Sequence, residues 1–395
     1  MKNKILDPKR MKNNISNQFI LDPDITFLNH GSFGACPKPV FNDYQHWQKK
    51  LEQQPVLFST EIVYEQLRQS RIALGDFVGC DEQDLIFFQN PTTAVSNIIF
   101  SLDLKPGDEI LMSNHEYGAL VRAWSEWGRR HQVKIVQQDV KLPVTTRGHF
   151  IDNFWAGVTP QTKVIFLSQI TSATALEFPV KSICELAKEK GILTIIDGAH
   201  VPGHLDLNIN KLDCDFYTGA CHKWLCAPKG TSFLYVKKEH QSWVRPLIYS
   251  WGKDGDDPES SEFLQDFQWQ GTRDMAAFLT LPKAIKFYQE YIDGEKLNCK
   301  KLILKTGIEL AQLFNTPSIY QSADWIHQMV SHPLPKNAPI DIKKRLWEEY
   351  RIEIPVFQWR DQPYIRVSCN IYNNTQQMEY LLNVLRSLIK ISAIE

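Results

Sequence analysis

At 395 residues the chain has room for two or three domains of about 150 residues each, so building a sizeable core poses no difficulty. Apolar side chains make up 43% and charged ones 23%, and 44 basic against 45 acidic residues leave a net charge of −1. That balance excludes the basic excess of a nucleic-acid binder and the polar bias of a disordered chain, and no apolar run reaches the roughly 20 residues of a membrane span.

Residues 1–17 are basic and polar, lack the apolar core of a secretory signal, and read as a loose arm. The eight cysteines are too sparse for a disulfide scaffold, so reduced thiols and a cytoplasmic location are expected. Cys214, Cys221, His222 and Cys226 crowd together, but their spacing matches no zinc-finger pattern and no metal is expected.

From residue 18 to 274 two periodicities alternate. Short β-branched runs at 85–88, 109–112, 134–140, 163–170, 192–197 and 232–236 are separated by segments of helical spacing, which predicts a mostly parallel α/β sheet flanked by helices. The segment 179–190 is the clearest helix. Val180, Ile183, Cys184 and Ala187 share one face, Pro179 stands near its start and Gly191 follows its last turn. Residues 250–261 are polar and turn-rich and read as a mobile loop. A long helix is expected over 275–291, leading into a smaller α+β C-terminal domain (275–395) with helices at 302–314 and 342–350 and a strand at 364–368.

Three places in this order carry chemistry. Asn90-Pro-Thr92-Thr93 stands between a strand and a helix, where backbone N–H groups and hydroxyls face an anion. Asp197 closes the strand ILTIID, at the edge where open α/β sheets bind ligands. Lys223, between His222 and Trp224 and just after an apolar-aromatic strand, is poorly placed for a solvated surface charge. A partly desolvated lysine can form a Schiff base with an aldehyde cofactor, and pyridoxal 5'-phosphate (PLP) pairs such a lysine with a carboxylate on its ring nitrogen.

The set NPTTAVSN, SNHEYGA, ITSATALEFPV, DGAH, DFYTGACHKW, WQGTRD and IRVSCNIYN resembles the class V aminotransferase family of fold-type I PLP-dependent enzymes. FLNHGSFGACP and RLWEEYRIEIPVF are most similar to its isopenicillin N epimerase-like branch. The resemblance runs from about Phe27 to Tyr372 and implies residue roles. Lys223 holds PLP, Asp197 pairs with the ring nitrogen, and His200 and Ser172 lie near the phenolic oxygen. Thr92, the Thr93 backbone, Thr218 and His222 hold the phosphate. Thr272 reaches the phosphate of a partner subunit, which implies a homodimer with shared active sites. Tyr117 stacks on the ring, with His115 as second candidate. Arg366 grips the substrate carboxylate, and Asn29 and His30 line the same pocket.

The implied activity is proton transfer at the α-carbon of an amino acid or amino-acid-derived substrate, of the epimerase type. Carbon-sulfur β-elimination is the first alternative and transamination the second. A two-base epimerase needs a donor on the face away from Lys223, for which Tyr117, His115 and Tyr249 are candidates. Desulfuration through a persulfide needs a thiol on a mobile loop in the C-terminal half. Cys299 and Cys369 do not read as such.

Overall fold

The computed structural model describes residues 14–254 and 259–392. Most of the arm (1–13) and the tip of the 250–261 loop therefore lie outside the described residues. Seven strands form the central sheet: β1 (Leu85–Phe88), β2 (Glu109–Ser113), β3 (Lys134–Gln138), β4 (Thr162–Ser168), β5 (Leu193–Gly198), β6 (Phe216–Ala220) and β7 (Ser232–Val236). Their order across the sheet is β1-β7-β6-β5-β4-β2-β3, parallel throughout except that β7 runs against both its neighbours.

Alternation along each strand sends consecutive side chains to opposite faces, and here both faces are apolar. Leu85, Phe87, Ile165 and Leu167 join one core cluster, while Ile86, Phe88, Val164 and Phe166 join the other. That is why these strands read as unbroken hydrophobic runs. Helices α1 (Pro91–Ser101), α2 (Gly118–His131) and α3 (Val180–Glu189) cover the sheet, and α3 buries Val180, Ile183, Cys184 and Ala187 as its spacing predicts.

The expected long helix over 275–291 is broken. Ala276–Leu279 and Leu281–Phe287 are separate segments, the second with Pro282 in its first turn, and Tyr288–Ile292 continues as a wider π turn. Proline lacks the N–H that would carry the first helix through, and fits where a new one starts. Beyond it, α4 (Lys296–Phe314) packs on a three-stranded antiparallel sheet, β8 (Met329–Pro333), β9 (Val356–Trp359) and β10 (Gln362–Ser368), in the order β9-β10-β8.

The N-terminal segment crosses to this C-terminal region. Thr26–Phe27 pairs in parallel with Ile352–Glu353, and Ser368 donates its N–H to the Leu28 carbonyl at 3.1 Å. The chain then turns at Gly34, whose φ of +69° suits glycine, and where any Cβ would meet the carbonyl oxygens of His222 and Lys223. The segment 30–34 is thereby pressed against the turn that carries Lys223.

Candidate active site

A cavity of about 520 Å³ opens at the carboxyl ends of β1, β4, β5 and β6, a volume ordinary for a small-molecule site. Asn90, Thr92, Thr93, Tyr117, Ser172, Asp197, His200, His222, Lys223 and Arg366 line it, together with Gly31, Ser32, Phe33 and Ser168.

Lys223 sits in the turn after β6 with its Nζ 3.2 Å from His200 Nε2. Burial lowers its pKa to about 8 against the pull of Asp197, and the Arg366 cation lowers it further. Asp197, near the end of β5, accepts the Ala199 N–H at 2.9 Å. Burial raises its pKa, while that N–H and Lys223 oppose the rise. The two groups thus line one cavity and act on each other electrostatically.

Arg366 projects from β10, and its guanidinium is buried. Nη1 donates to the Ser172 carbonyl at 2.6 Å and Nη2 to Ser32 Oγ at 2.9 Å, while Nε has no partner. Burial lowers its pKa to about 10, so it stays charged at neutral pH. Among the described residues no carboxylate pairs with it. A buried cation facing a cavity without a counter-ion fits an anionic ligand.

The phosphate cradle is more occupied than its sequence implies. Asn90 caps α1, accepting the Thr93 N–H at 2.9 Å and the Thr93 hydroxyl at 3.1 Å, so an anion takes that N–H only if Asn90 turns away. His222 lines the cavity, but burial and then Lys223 lower its pKa to about 4. Its Nδ1 donates to the Thr231 carbonyl at 3.0 Å, which leaves Nε2 unprotonated in the neutral ring. A phosphate dianion beside it would favour a second proton there.

Several expected site residues stand elsewhere. Thr218 is buried within β6 and donates its hydroxyl to the Phe233 carbonyl at 2.7 Å, away from the cavity. Thr272 is exposed and outside the cavity of its own chain. Asn29 does not line the pocket; it accepts from Ser32 Oγ at 2.5 Å. His30 lies behind Lys223, with Nε2 3.0 Å from the Lys223 carbonyl and Nδ1 2.7 Å from the Tyr372 hydroxyl. Ser32 and Phe33 reach the cavity in their place. Tyr117 lines it and is half-exposed, whereas His115 is buried with both nitrogens bonded, to Thr174 Oγ1 and the Val140 carbonyl. Tyr249 is exposed and does not line it.

Glu116 is the functional neighbour that the motifs did not single out. It is buried beside Tyr117 and accepts from Ser113 Oγ at 2.5 Å, from the Ser168 N–H at 2.9 Å and from Ser168 Oγ at 2.5 Å. Ser168 is the register partner of Asp197, so one carboxyl ties the turn bearing Tyr117 to the strand beside Asp197. Burial raises its pKa to about 7; the serine hydrogen bonds lower it and the Asp197 charge raises it again.

A glutamate that titrates near 4.5 when unfolded and about 7 when folded holds extra protons in the folded state between those values. Stability from this group therefore falls as pH rises through that window, by roughly 3 kcal/mol. Glu116→Gln has no proton to lose, so its stability relative to wild type is expected to improve by that amount between about pH 4.5 and 7.5. Urea unfolding of the apoproteins at both pH values checks this; a constant difference would show that folding leaves the Glu116 pKa unshifted.

An open α/β sheet that brings a depressed-pKa amine, a buried carboxylate and a helix N-terminus to one crevice defines a fold-type I PLP-dependent enzyme. The model of the Aminotransferase class-V family matches residues 36–381. The chain belongs to that family, and PLP is its cofactor. It is 32% identical over 394 residues to an isopenicillin N epimerase of Amycolatopsis lactamdurans, covering 95% of this chain and 98% of that one. It is 24% identical over 377 residues to a hercynylcysteine sulfoxide lyase of Schizosaccharomyces pombe, covering 93% and 95%. An apo cysteine desulfurase structure from Thermococcus onnurineus NA1 shares the fold, with a TM-score of 0.82 at 19% identity and coverage of 95% and 97%.

Proposed function

We propose that this protein moves a proton at the α-carbon of an amino acid or amino-acid-derived substrate, in the manner of an epimerase. The observation that carries the reading is a charged Arg366, without a counter-ion among the described residues, in the same cavity as the Lys223 amine. One grips a carboxylate; the other reaches the carbon beside it. Identity above 30% to an isopenicillin N epimerase supports the same chemistry.

Bound PLP supplies an electron-withdrawing ring into which charge at the α-carbon can spread. Asp197 holds the proton on the ring nitrogen, and the Thr92 hydroxyl at the start of α1, with His222, holds the phosphate. Lys223 Nζ, as a free amine, takes the α-proton from its own face and, in the reverse direction, returns one there. Arg366 orients the substrate so that this hydrogen faces Nζ. Of the three candidates for the opposite face, Tyr117 alone lines the cavity, and its hydroxyl is the proton donor in this reading.

Carbon-sulfur β-elimination is the second reading, favoured by similarity to the sulfoxide lyase. Transamination is the third. Persulfide chemistry is disfavoured because Cys299 and Cys369 are both buried, the first on α4 and the second after β10. A homodimer is part of the proposal, supported by Thr272, which is exposed and outside its own chain's cavity. A cytoplasmic setting is supported by eight cysteines with no disulfide. No helix among the described residues is long and apolar enough to cross a membrane.

The test is to incubate the holoenzyme with a panel of amino acids in deuterated water. Deuterium at the α-carbon with loss of chirality and no keto acid supports epimerisation. Pyruvate with a released thiol would replace it by the lyase reading, and stoichiometric keto acid by transamination. No α-exchange and no keto acid with any substrate overturns all three.

A further inference from the structure

The two ring nitrogens of His200 have different partners, and the difference fixes its proton. Nδ1 lies 3.3 Å from the indole Nε1 of Trp224, and Nε2 lies 3.2 Å from Lys223 Nζ. An indole nitrogen can only donate, so His200 Nδ1 is the acceptor. The ring is fully buried, and burial drives its pKa far down. The imidazole is therefore neutral, and its one proton sits on Nε2, pointing at Lys223. An ammonium has three N–H donors and no lone pair. The 3.2 Å contact is a hydrogen bond only when Lys223 is the free amine.

The indole cannot easily turn to release this arrangement. Trp224 is fully buried, stacks on His204 with ring centroids 3.9 Å apart at 24°, and packs against His30 at 4.9 Å. His204 is itself fixed: its Nε2 accepts the Gln328 N–H at 2.8 Å, so its proton is on Nδ1 and is donated to the His200 carbonyl at 3.0 Å. Tryptophan, unlike phenylalanine, supplies both the stacking face and the donor at its rim.

We propose that Trp224 is a positioning residue whose indole N–H locks His200 in the Nε2–H tautomer and thereby favours the free-amine form of Lys223 before the cofactor arrives. The groups that face Lys223 are Asp197 from β5, His200 after it, His222 beside it and Arg366 from β10. Asp197 favours the ammonium. Arg366 opposes it, and the locked His200 proton opposes it too.

The inference rests on Lys223 being the reactive amine, as proposed above, but its first test does not depend on that. Long-range proton–nitrogen NMR of the apoprotein labelled with ¹⁵N-histidine at neutral pH should show His200, assigned by its loss in His200→Gln, protonated on Nε2 alone. A proton on Nδ1, or on both nitrogens, overturns the proposal whether or not PLP binds. The second test uses Trp224→Phe, which keeps the ring and removes the N–H. Loss of one hydrogen bond worth about 1 kcal/mol should raise the Lys223 pKa and slow the reaction of the apoprotein with PLP about fivefold near pH 7, with convergence at high pH. In that reaction the amine lone pair adds to the aldehyde carbon and water leaves. An unchanged pH profile overturns the lock. If the variant does not fold, the NMR measurement on the wild-type chain decides.

Discussion

Replacing Lys223 with alanine is expected to abolish covalent retention of PLP and to slow α-proton exchange by at least about 10³-fold, the range in which positioned general acid–base groups act. The amine has no structural duty that would confuse the result. Among the described residues its Nζ bonds only to His200 Nε2, and burial already disfavours its charged form. Removing it leaves Asp197 without the cation that opposes the rise in its pKa, so Asp197 takes up a proton more readily and the fold need not collapse. The measurement is borohydride reduction of the PLP-loaded protein followed by peptide mapping, with deuterium exchange read in parallel. Modification retained on another lysine, or exchange within tenfold of wild type, would remove Lys223 from the mechanism. Partial rescue by a small added amine would show that the deficit is the missing base and not a distorted site.

What could be read in the sequence was whatever depends on one strand and the residues just after it. Asp197 and Lys223 each follow an apolar run at the carboxyl edge, and the strand pattern places them there without knowledge of any neighbour. The face of α3 was equally local. What could not be read depends on partners far along the chain. His30 belongs to the motif that opens the site, yet it ends behind Lys223, 193 residues away, because Gly34 presses this segment against the lysine turn. Thr218 follows its strand neighbours into the sheet, where the β7 carbonyl of Phe233 takes its hydroxyl. Glu116, in the polar string NHEYGA, reads as a surface acid. Ser113, three residues before it, and above all Ser168, 52 residues on in β4, make its burial tolerable. Pro282 marks the break at Thr280, because a proline cannot continue the helix that ends at Leu279.

Arg366→Leu is expected to lower kcat/KM for amino acids by about 10²- to 10³-fold, mainly through KM, while leaving the apoprotein at least as resistant to urea as wild type. The two halves of this expectation come from the same geometry. The guanidinium is buried and, among the described residues, makes hydrogen bonds only to Ser172 and Ser32, leaves Nε unpartnered and faces no carboxylate. Holding a charge there costs stability, and an apolar side chain of moderate volume relieves that cost. A substrate carboxylate supplies the missing counter-ion and an acceptor for Nε, so the variant loses a charge-assisted contact worth about 3–4 kcal/mol when substrate binds. Chemistry at the α-carbon stays with Lys223, which is why the loss falls on KM more than on kcat. A purely structural Arg366 would give the opposite pattern, with lower urea resistance and kinetics little changed in the surviving protein. An amine substrate lacking the carboxylate separates the two directly: wild type and Arg366→Leu should process it at similar, low rates, and a wild-type advantage of more than about tenfold would show that the arginine acts on something other than the carboxylate.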